Sequence, residues 1–133
     1  MFEPSTSRID VLAAVITRDG QYLVCQRPRA KRHGGLWEFP GGKLEAGESL
    51  LEAAKRELIE ELNVAAVRVG NPLFTVQDEG SPFVINFLPT EIAGEPTCLE
   101  HADLRWATLD EIQHLDLAPS DGQFVRFMLD RDR

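Results

Sequence analysis

Three glutamates, Glu57, Glu60 and Glu61, stand at spacings that bring side chains onto one face of a helix. At ~100° per residue they fall within an arc of roughly 100°, because neighbours three and four apart share a face. Like charges so placed destabilise a helix by roughly 0.2–0.5 kcal/mol each, so the cluster makes physical sense around a divalent cation. Carboxylate oxygens are hard ligands and suit Mg2+ or Mn2+. Arg56 lies beside the arc, one turn from Glu52 and Glu60, where it can orient a carboxylate or simply form a surface pair. Upstream, Gly41 and Gly42 let the backbone approach an ion, and Glu48 precedes the helix, where negative charge favours the N-terminus.

Around this cluster the chain reads as alternating strands and helices. Val11 to Ile16 is an apolar run of strand length, and Asp19-Gly20 is a hairpin turn into Tyr22-Leu23-Val24-Cys25. Arg27 to Gly35 is a basic loop ending in glycines, and Leu36 to Pro40 leads from it into the glycine turn. Ser49 with Glu52 forms a capping box, so a helix is expected from near Leu50 to about Leu62, with Leu51, Ala54, Leu58 and Leu62 as its apolar stripe. Strand-like segments follow at 64–77, 82–93 and 103–107, with turns at 78–80 and 93–96. Thr108 caps a short helix, and Ser120 or Asp121 can cap a last one carrying Phe124, Phe127 and Met128. Strands on both sides of a central helix, with a late helix for the other sheet face, indicate a layered α/β sandwich.

With 133 residues and 43% hydrophobic content, the chain is the size of one domain. We expect a polar arm over residues 1–8 and a single domain over 9–133. A net charge of −8 argues against a surface that tracks nucleic-acid phosphates, so no polymeric nucleic acid is expected as a partner. Cys25 and Cys98 form no C-x-x-C pair and are expected to be reduced thiols. No basic start with an apolar run opens the chain, and no apolar run reaches the ~18 residues of a membrane span. A cytoplasmic protein with no membrane partner is expected. His33, His101 and His114 show no mutual metal-ligand spacing and no Ser or Cys partner, so nucleophilic catalysis is not expected.

Gly42, Glu48 and Arg56-Glu57-Leu58-Ile59-Glu60-Glu61-Leu62-Asn63-Val64 resemble the Nudix box, G-x5-E-x7-R-E-U-x-E-E-x-G-U with U apolar. The one departure is Asn63 where the family has Gly, and Asn tolerates the left-handed conformation that ends a helix. The resemblance implies an α/β/α sandwich with a mixed central sheet and the box as a loop-helix-loop on one side. It implies metal ligation by Glu57, Glu60 and Glu61 with the backbone carbonyl of Gly41, and a network role for Glu48 and Arg56. Glu100, in L-E-H-A-D-L-R-W, resembles a loop glutamate that binds metal or acts as general base in the MutT-like subgroup. Which of Glu57, Glu60 and Glu100 takes the proton stays open.

In the same subgroup Arg27, in Q-R-P, matches an arginine on substrate phosphate, and Lys43 can act likewise. Arg29, Lys31 and Arg32 form a basic loop that is either solvated or steers an anion. Phe39 and Phe83 either pack in the core or stack on a base. Ala118-Pro119-Ser120-Asp121 resembles the loop with which 8-oxo-dGTP diphosphatases and CTP pyrophosphohydrolases approach the base, which makes Asp121 the candidate base reader. Asp accepts only, and so suits paired N–H donors. The implied activity is Mg2+-dependent hydrolysis of a nucleoside triphosphate to NMP and pyrophosphate, with Mn2+ able to substitute and a small nucleotide as the partner. Other diphosphate-linked substrates, or a nucleotide sensor without turnover, are the alternatives. Monomer and homodimer both stay open.

Overall fold

The apolar run beginning at Val11 becomes β1 (Ile9–Arg18), and both of its faces are covered. Leu12, Ala14 and Ile16 enter one core cluster, whereas Ala13 and Val15 enter another on the opposite face. A strand buried on both sides reads as continuously apolar, which is why alternation is missing from this segment. The computed structural model describes residues 8–77 and 79–131.

Asp19 (φ 52°) and Gly20 (φ 79°) form the turn from β1 into β2 (Gln21–Gln26), as their left-handed tolerance predicts. The remaining elements are β3 (Trp37–Glu38), β4 (Gly41–Lys43), α1 (Leu50–Leu62), β5 (Ala65–Val69), β6 (Phe74–Gln77), β7 (Phe83–Ala93), β8 (Asp103–Ala107), α2 (Leu109–Ile112) and α3 (Pro119–Arg131). The sheet is mixed and ordered β3-β2-β1-β7-β5, with β4 paired to β1, β6 to β7 and β8 to β2. β1 and β7 run parallel at its centre. α1 covers one face through Ala53, Ala54, Leu58 and Leu62, and α2 and α3 cover the other through Leu109, Ile112, Phe124, Val125 and Met128. This is the expected α/β/α sandwich.

The second cluster has an aromatic centre. Phe87 and Phe124 stack at 4.4 Å, and Phe39 meets Phe124 edge-on at 5.3 Å. Truncating Phe124 to Ala there costs about 3–5 kcal/mol.

Four boundaries differ from the sequence expectation. Leu51 is 43% exposed, and Leu50 takes its place at the head of the row Leu50, Ala54, Leu58, Leu62. The stretch 64–77 is two strands. Both pair with β7, but Pro89 lies between the paired segments and has no N–H for the ladder, so the chain bends past it at Gly70. Residues 37–43 carry two short strands rather than a plain turn. α3 begins at Pro119, the residue type favoured at a first helical position, so Asp121 lies inside the first turn and is not its cap. Ser49 and Thr108 are caps as expected, each in a reciprocal capping box. Of the expected arm only Arg8 is described, in an exposed pair with Asp10; Asp78 of the expected 78–80 turn also lies outside the described residues.

Candidate active site

Asn63 closes α1 in the left-handed conformation, φ 55° and ψ 41°. A helix end leaves its last carbonyls without intrahelical partners. Here the carbonyls of Leu62 and Glu61 accept from the N–H groups of Thr97 and Leu99, at 2.8 and 3.1 Å. That contact lays the 94–102 loop across the end of α1 and brings Glu100 and His101 to its acidic face. On the other side β4 supplies Gly41 and Gly42. A Cβ at Gly42 would collide with Glu57 Oε2, and one at Gly41 with the Leu12 carbonyl, so only glycine lets the helix carboxylates lie against this strand. Arg27 follows β2, in a loop closed by Arg27 N–H to Leu36 O and Gly35 N–H to Arg27 O, both 2.9 Å.

These elements enclose a cleft of about 480 Å3 lined by Arg27, Pro28, Lys31, Glu38, Gly41, Glu57, Glu61, Glu100 and His101. Its floor is the Glu57–Glu61 pair. Glu61 is 5% exposed and its Oε1 has no hydrogen-bond partner. Burial pushes the Glu61 carboxyl well up from its ordinary value, and the neighbouring Glu57 and Glu38 push it further. Burial also raises Glu57, against the opposing pull of its hydrogen bond to Glu61 and of Arg56. Two carboxylates can hydrogen-bond each other only by sharing a proton.

Outside the cleft Arg56 is saturated. Its Nε and Nη2 bind both oxygens of Glu48 at 2.7 and 2.9 Å, Nη1 reaches Glu60 at 3.0 Å, and Nη2 also reaches the Lys43 carbonyl at 3.1 Å. The bidentate Arg56 contact, with the Glu45 N–H, holds the Glu48 carboxyl down at about 2. Arg56 therefore pins the loop after β4 to the helix.

The cleft fits a divalent cation: among the described residues the buried Glu61 Oε1 has no hydrogen-bond partner, and it lies with Glu38, Glu57 and Glu100, whose crowding and burial disfavour unbalanced negative charge. Glu60 is held at the surface by Arg56, and among the described residues no three His, Cys, Asp or Glu side chains converge on one ion position. A cation here would have two carboxylates plus backbone and water oxygens to draw on, a donor set that suits a hard ion retaining several waters.

Of the candidate residues, the structure brings Arg27, Gly41, Glu57, Glu61 and Glu100 together, with Glu48, Arg56 and Glu60 beside them. Lys43, Phe39, Phe83 and Asp121 do not line the cleft. Lys43 Nζ sits over the Phe83 ring at 5.0 Å, which gives both an intramolecular partner. Phe39 is 3% exposed among Phe87 and Phe124, so the base-stacking option for it gives way to core packing. Asp121 is buried and its Oδ2 accepts the Phe39 N–H at 2.8 Å; burial pushes its carboxyl up to about 7. Its segment runs beside β3, with Ala118 N–H on the Trp37 carbonyl.

Sequence reasoning missed Glu38 and His101. Alternation in Trp37-Glu38-Phe39 was the available signal: both aromatics enter the α3-side core, so the glutamate between them must face the other way. His101 carried no signal beyond adjacency to Glu100.

Residues 6–128 match the family model of the NUDIX domain, and the chain belongs to the Nudix hydrolase family. It is 40% identical over 116 residues to the CTP pyrophosphohydrolase of Escherichia coli (strain K12), covering 85% of each chain. It is 31% identical over 126 residues to the 8-oxo-dGTP diphosphatase of Haemophilus influenzae, covering 91% of each. Among solved structures it resembles the MutT NUDIX hydrolase from Burkholderia pseudomallei, with TM-score 0.74, 29% identity, and coverage of 90% of this chain and 96% of that one. Hydrolases of this family generally need a divalent metal ion.

Proposed function

We propose that this chain is a Mg2+-dependent nucleoside triphosphate pyrophosphohydrolase, releasing NMP and pyrophosphate, with 8-oxo-dGTP and cytosine nucleotides as leading substrates. The observation that carries this reading is the pair of half-buried Glu57 and buried Glu61, whose Oε1 has no hydrogen-bond partner among the described residues, in one cleft with Arg27 and Lys31. The printed names of the relatives, a CTP pyrophosphohydrolase and an 8-oxo-dGTP diphosphatase, support the substrate class.

A polyphosphate chain brings several negative charges into a cleft that already holds four glutamates, so its entry needs compensating cations. Glu57 and Glu61, with the Gly41 carbonyl, would hold Mg2+, or Mn2+ in its place; Glu60 and Glu100 would contribute from its edge. Bound there, the ion supplies charge neutralisation for phosphate oxygens and acidifies water. Arg27 and Lys31 bind the phosphates on the opposite wall. Glu100, exposed at the cleft, is placed to accept a proton from the attacking water. Arg56 acts behind the carboxylates, steadying Glu57 at 3.5 Å and anchoring Glu48. The same reading takes residues 9–133 as one catalytic domain, cytoplasmic, and monomeric or homodimeric.

The test is a panel of CTP, dCTP, dGTP, 8-oxo-dGTP and ADP-ribose with product identification. Pyrophosphate and NMP are expected from a triphosphate, abolished by EDTA and restored by Mg2+ or Mn2+. Release of orthophosphate, or turnover without metal, contradicts the proposal.

A further inference from the structure

Two residues of the cleft have no task in the hydrolysis as proposed. His101 lies on a loop, yet its side chain is only 8% exposed. Its Nε2 stands 3.1 Å from Glu38 Oε2 and 3.8 Å from Glu61 Oε1. Carboxylate oxygens only accept, so Nε2 carries the hydrogen, donates it to Glu38 and faces Glu61. Glu38 in turn binds Arg27 Nη1 through both oxygens, at 3.3 and 3.4 Å. The four side chains thus form one line across the cleft wall. The line is braced from behind: Leu99 N–H binds the Glu61 carbonyl, Ala102 N–H the Gln26 carbonyl at 2.8 Å, and Cys98 Sγ the carbonyl of His101 itself at 2.9 Å. At 3.8 Å the His101 Nε2 is too far for a hydrogen bond, so among the described residues Glu61 Oε1 has no hydrogen-bond partner and the imidazole is its neighbour across the gap.

We propose that Glu38 and His101 are positioning residues, a bridge that fixes Arg27 on the phosphate side at a set distance from Glu61 on the cation side. This rests on the reading of the cleft given above. Neither residue touches the reacting atoms. Glu38 acts through Arg27, whereas His101 acts through Glu61 and through the backbone that carries Glu100. Remove the imidazole and Glu38 loses one of its donors, and the group that stands between the Glu38 and Glu61 carboxyl groups is gone. Partners that orient a metal ligand typically matter about 10–100-fold in metal affinity or activity.

The experiment compares full-length wild type, His101→Ala, His101→Gln, Glu38→Gln and the His101→Ala/Glu38→Gln double variant. Mn2+ affinity is read by electron paramagnetic resonance without nucleotide, and kcat and KM are read separately with CTP. His101→Ala should weaken Mn2+ binding about 10-fold and lower kcat more than it changes KM. His101→Gln, which keeps an N–H in reach, should recover part of both. Glu38→Gln should act mainly on KM, and the double variant should lose less than the product of the single losses. A folded His101→Ala protein with unchanged Mn2+ affinity, kcat and KM and only a lower Tm overturns the bridge, as do fully multiplicative losses. If His101→Ala does not fold, the Mn2+ affinity and KM of His101→Gln and Glu38→Gln decide, and wild-type values in both overturn it. If wild type turns over no nucleotide, the hydrolysis reading fails on its own, while the Mn2+ comparison still decides whether His101 positions Glu61.

Discussion

The two sides of α1 carry the same residue type and opposite electrostatics. On the outer side Glu48 and Glu60 share one arginine, and every Arg56 nitrogen is within 3.0 Å of a carboxylate oxygen. On the inner side Glu57 and Glu61 line one cleft with Glu38 and Glu100, and among the described residues Glu61 Oε1 has no hydrogen-bond partner. One side is a charge-paired clamp; the other gathers carboxyl groups whose negative charge burial disfavours. An acidic helix is therefore not electrostatically uniform, and the reach of its arginine decides which carboxylates are paired.

The largest break in that comparison comes from Glu61→Gln or Glu57→Gln. Each should lower kcat at least ~10²-fold, the scale expected when a catalytic metal or base is disturbed. Without metal the same variants should melt higher than wild type at pH 8. The sign follows from linkage: both carboxyl groups are raised on folding, so the native state binds more protons than the unfolded chain above the ordinary carboxylate value, and stability falls as pH rises. Gln deletes that loss.

Arg56→Ala tests the clamp. It should lower the urea midpoint, since it breaks charge-assisted hydrogen bonds to Glu48, and lower kcat ~10-fold by releasing the loop that carries Lys43 to Glu48. Arg56→Lys should recover little, because an ammonium lacks the fork that grips both Glu48 oxygens.

Asp121 is, with Glu61, a buried carboxylate and sharpens the contrast, because unlike Glu61 Oε1 its Oδ2 has a donor. With its pKa raised from 3.8 to about 7, wild type should lose stability as pH climbs through that window. Asp121→Asn keeps an acceptor for Phe39 N–H and should flatten that slope, gaining about 1–3 kcal/mol at pH 8 in urea melts. If it also shifts the kcat/KM ratios among CTP, dGTP and 8-oxo-dGTP, Asp121 reads the base; unchanged ratios leave it holding β3. Glu60→Gln should matter least, within ~5-fold of wild-type kcat, the range of an exposed ion pair.

Much of this was legible because local chemistry and tertiary structure agree. Ser49 with Glu52, Asn63 at the end of α1 and Asp19-Gly20 each fix a backbone conformation within a few residues, and each does so in the fold. The box placed Glu57 and Glu61 in the cleft for the same reason, since helical spacing alone sets their face. What the pattern left out depended on distant partners. The helical spacing does not distinguish the exposed Leu51 from the packed Leu50, and the pairing of Glu60 follows from how Arg56 divides itself among Glu48, Glu60 and the Lys43 carbonyl. Glu38 and His101 meet only because β3, β8 and the 94–102 loop are folded against α1; they lie 63 positions apart in the chain, and no spacing rule links them.

The absence of counter-charge at Glu57 and Glu61 can be measured by calorimetric titration of Mg2+ at pH 7.5, in two buffers of different ionisation enthalpy, with wild type and Glu61→Gln. Both carboxyl groups are raised, so a cation bound there must displace protons; wild-type heats should differ between the buffers, and affinity should fall as pH is lowered. Glu61→Gln should lose the binding and the released proton together. Equal heats in both buffers, or Mg2+ binding unaltered in Glu61→Gln, would show that the buried pair is not where the ion goes.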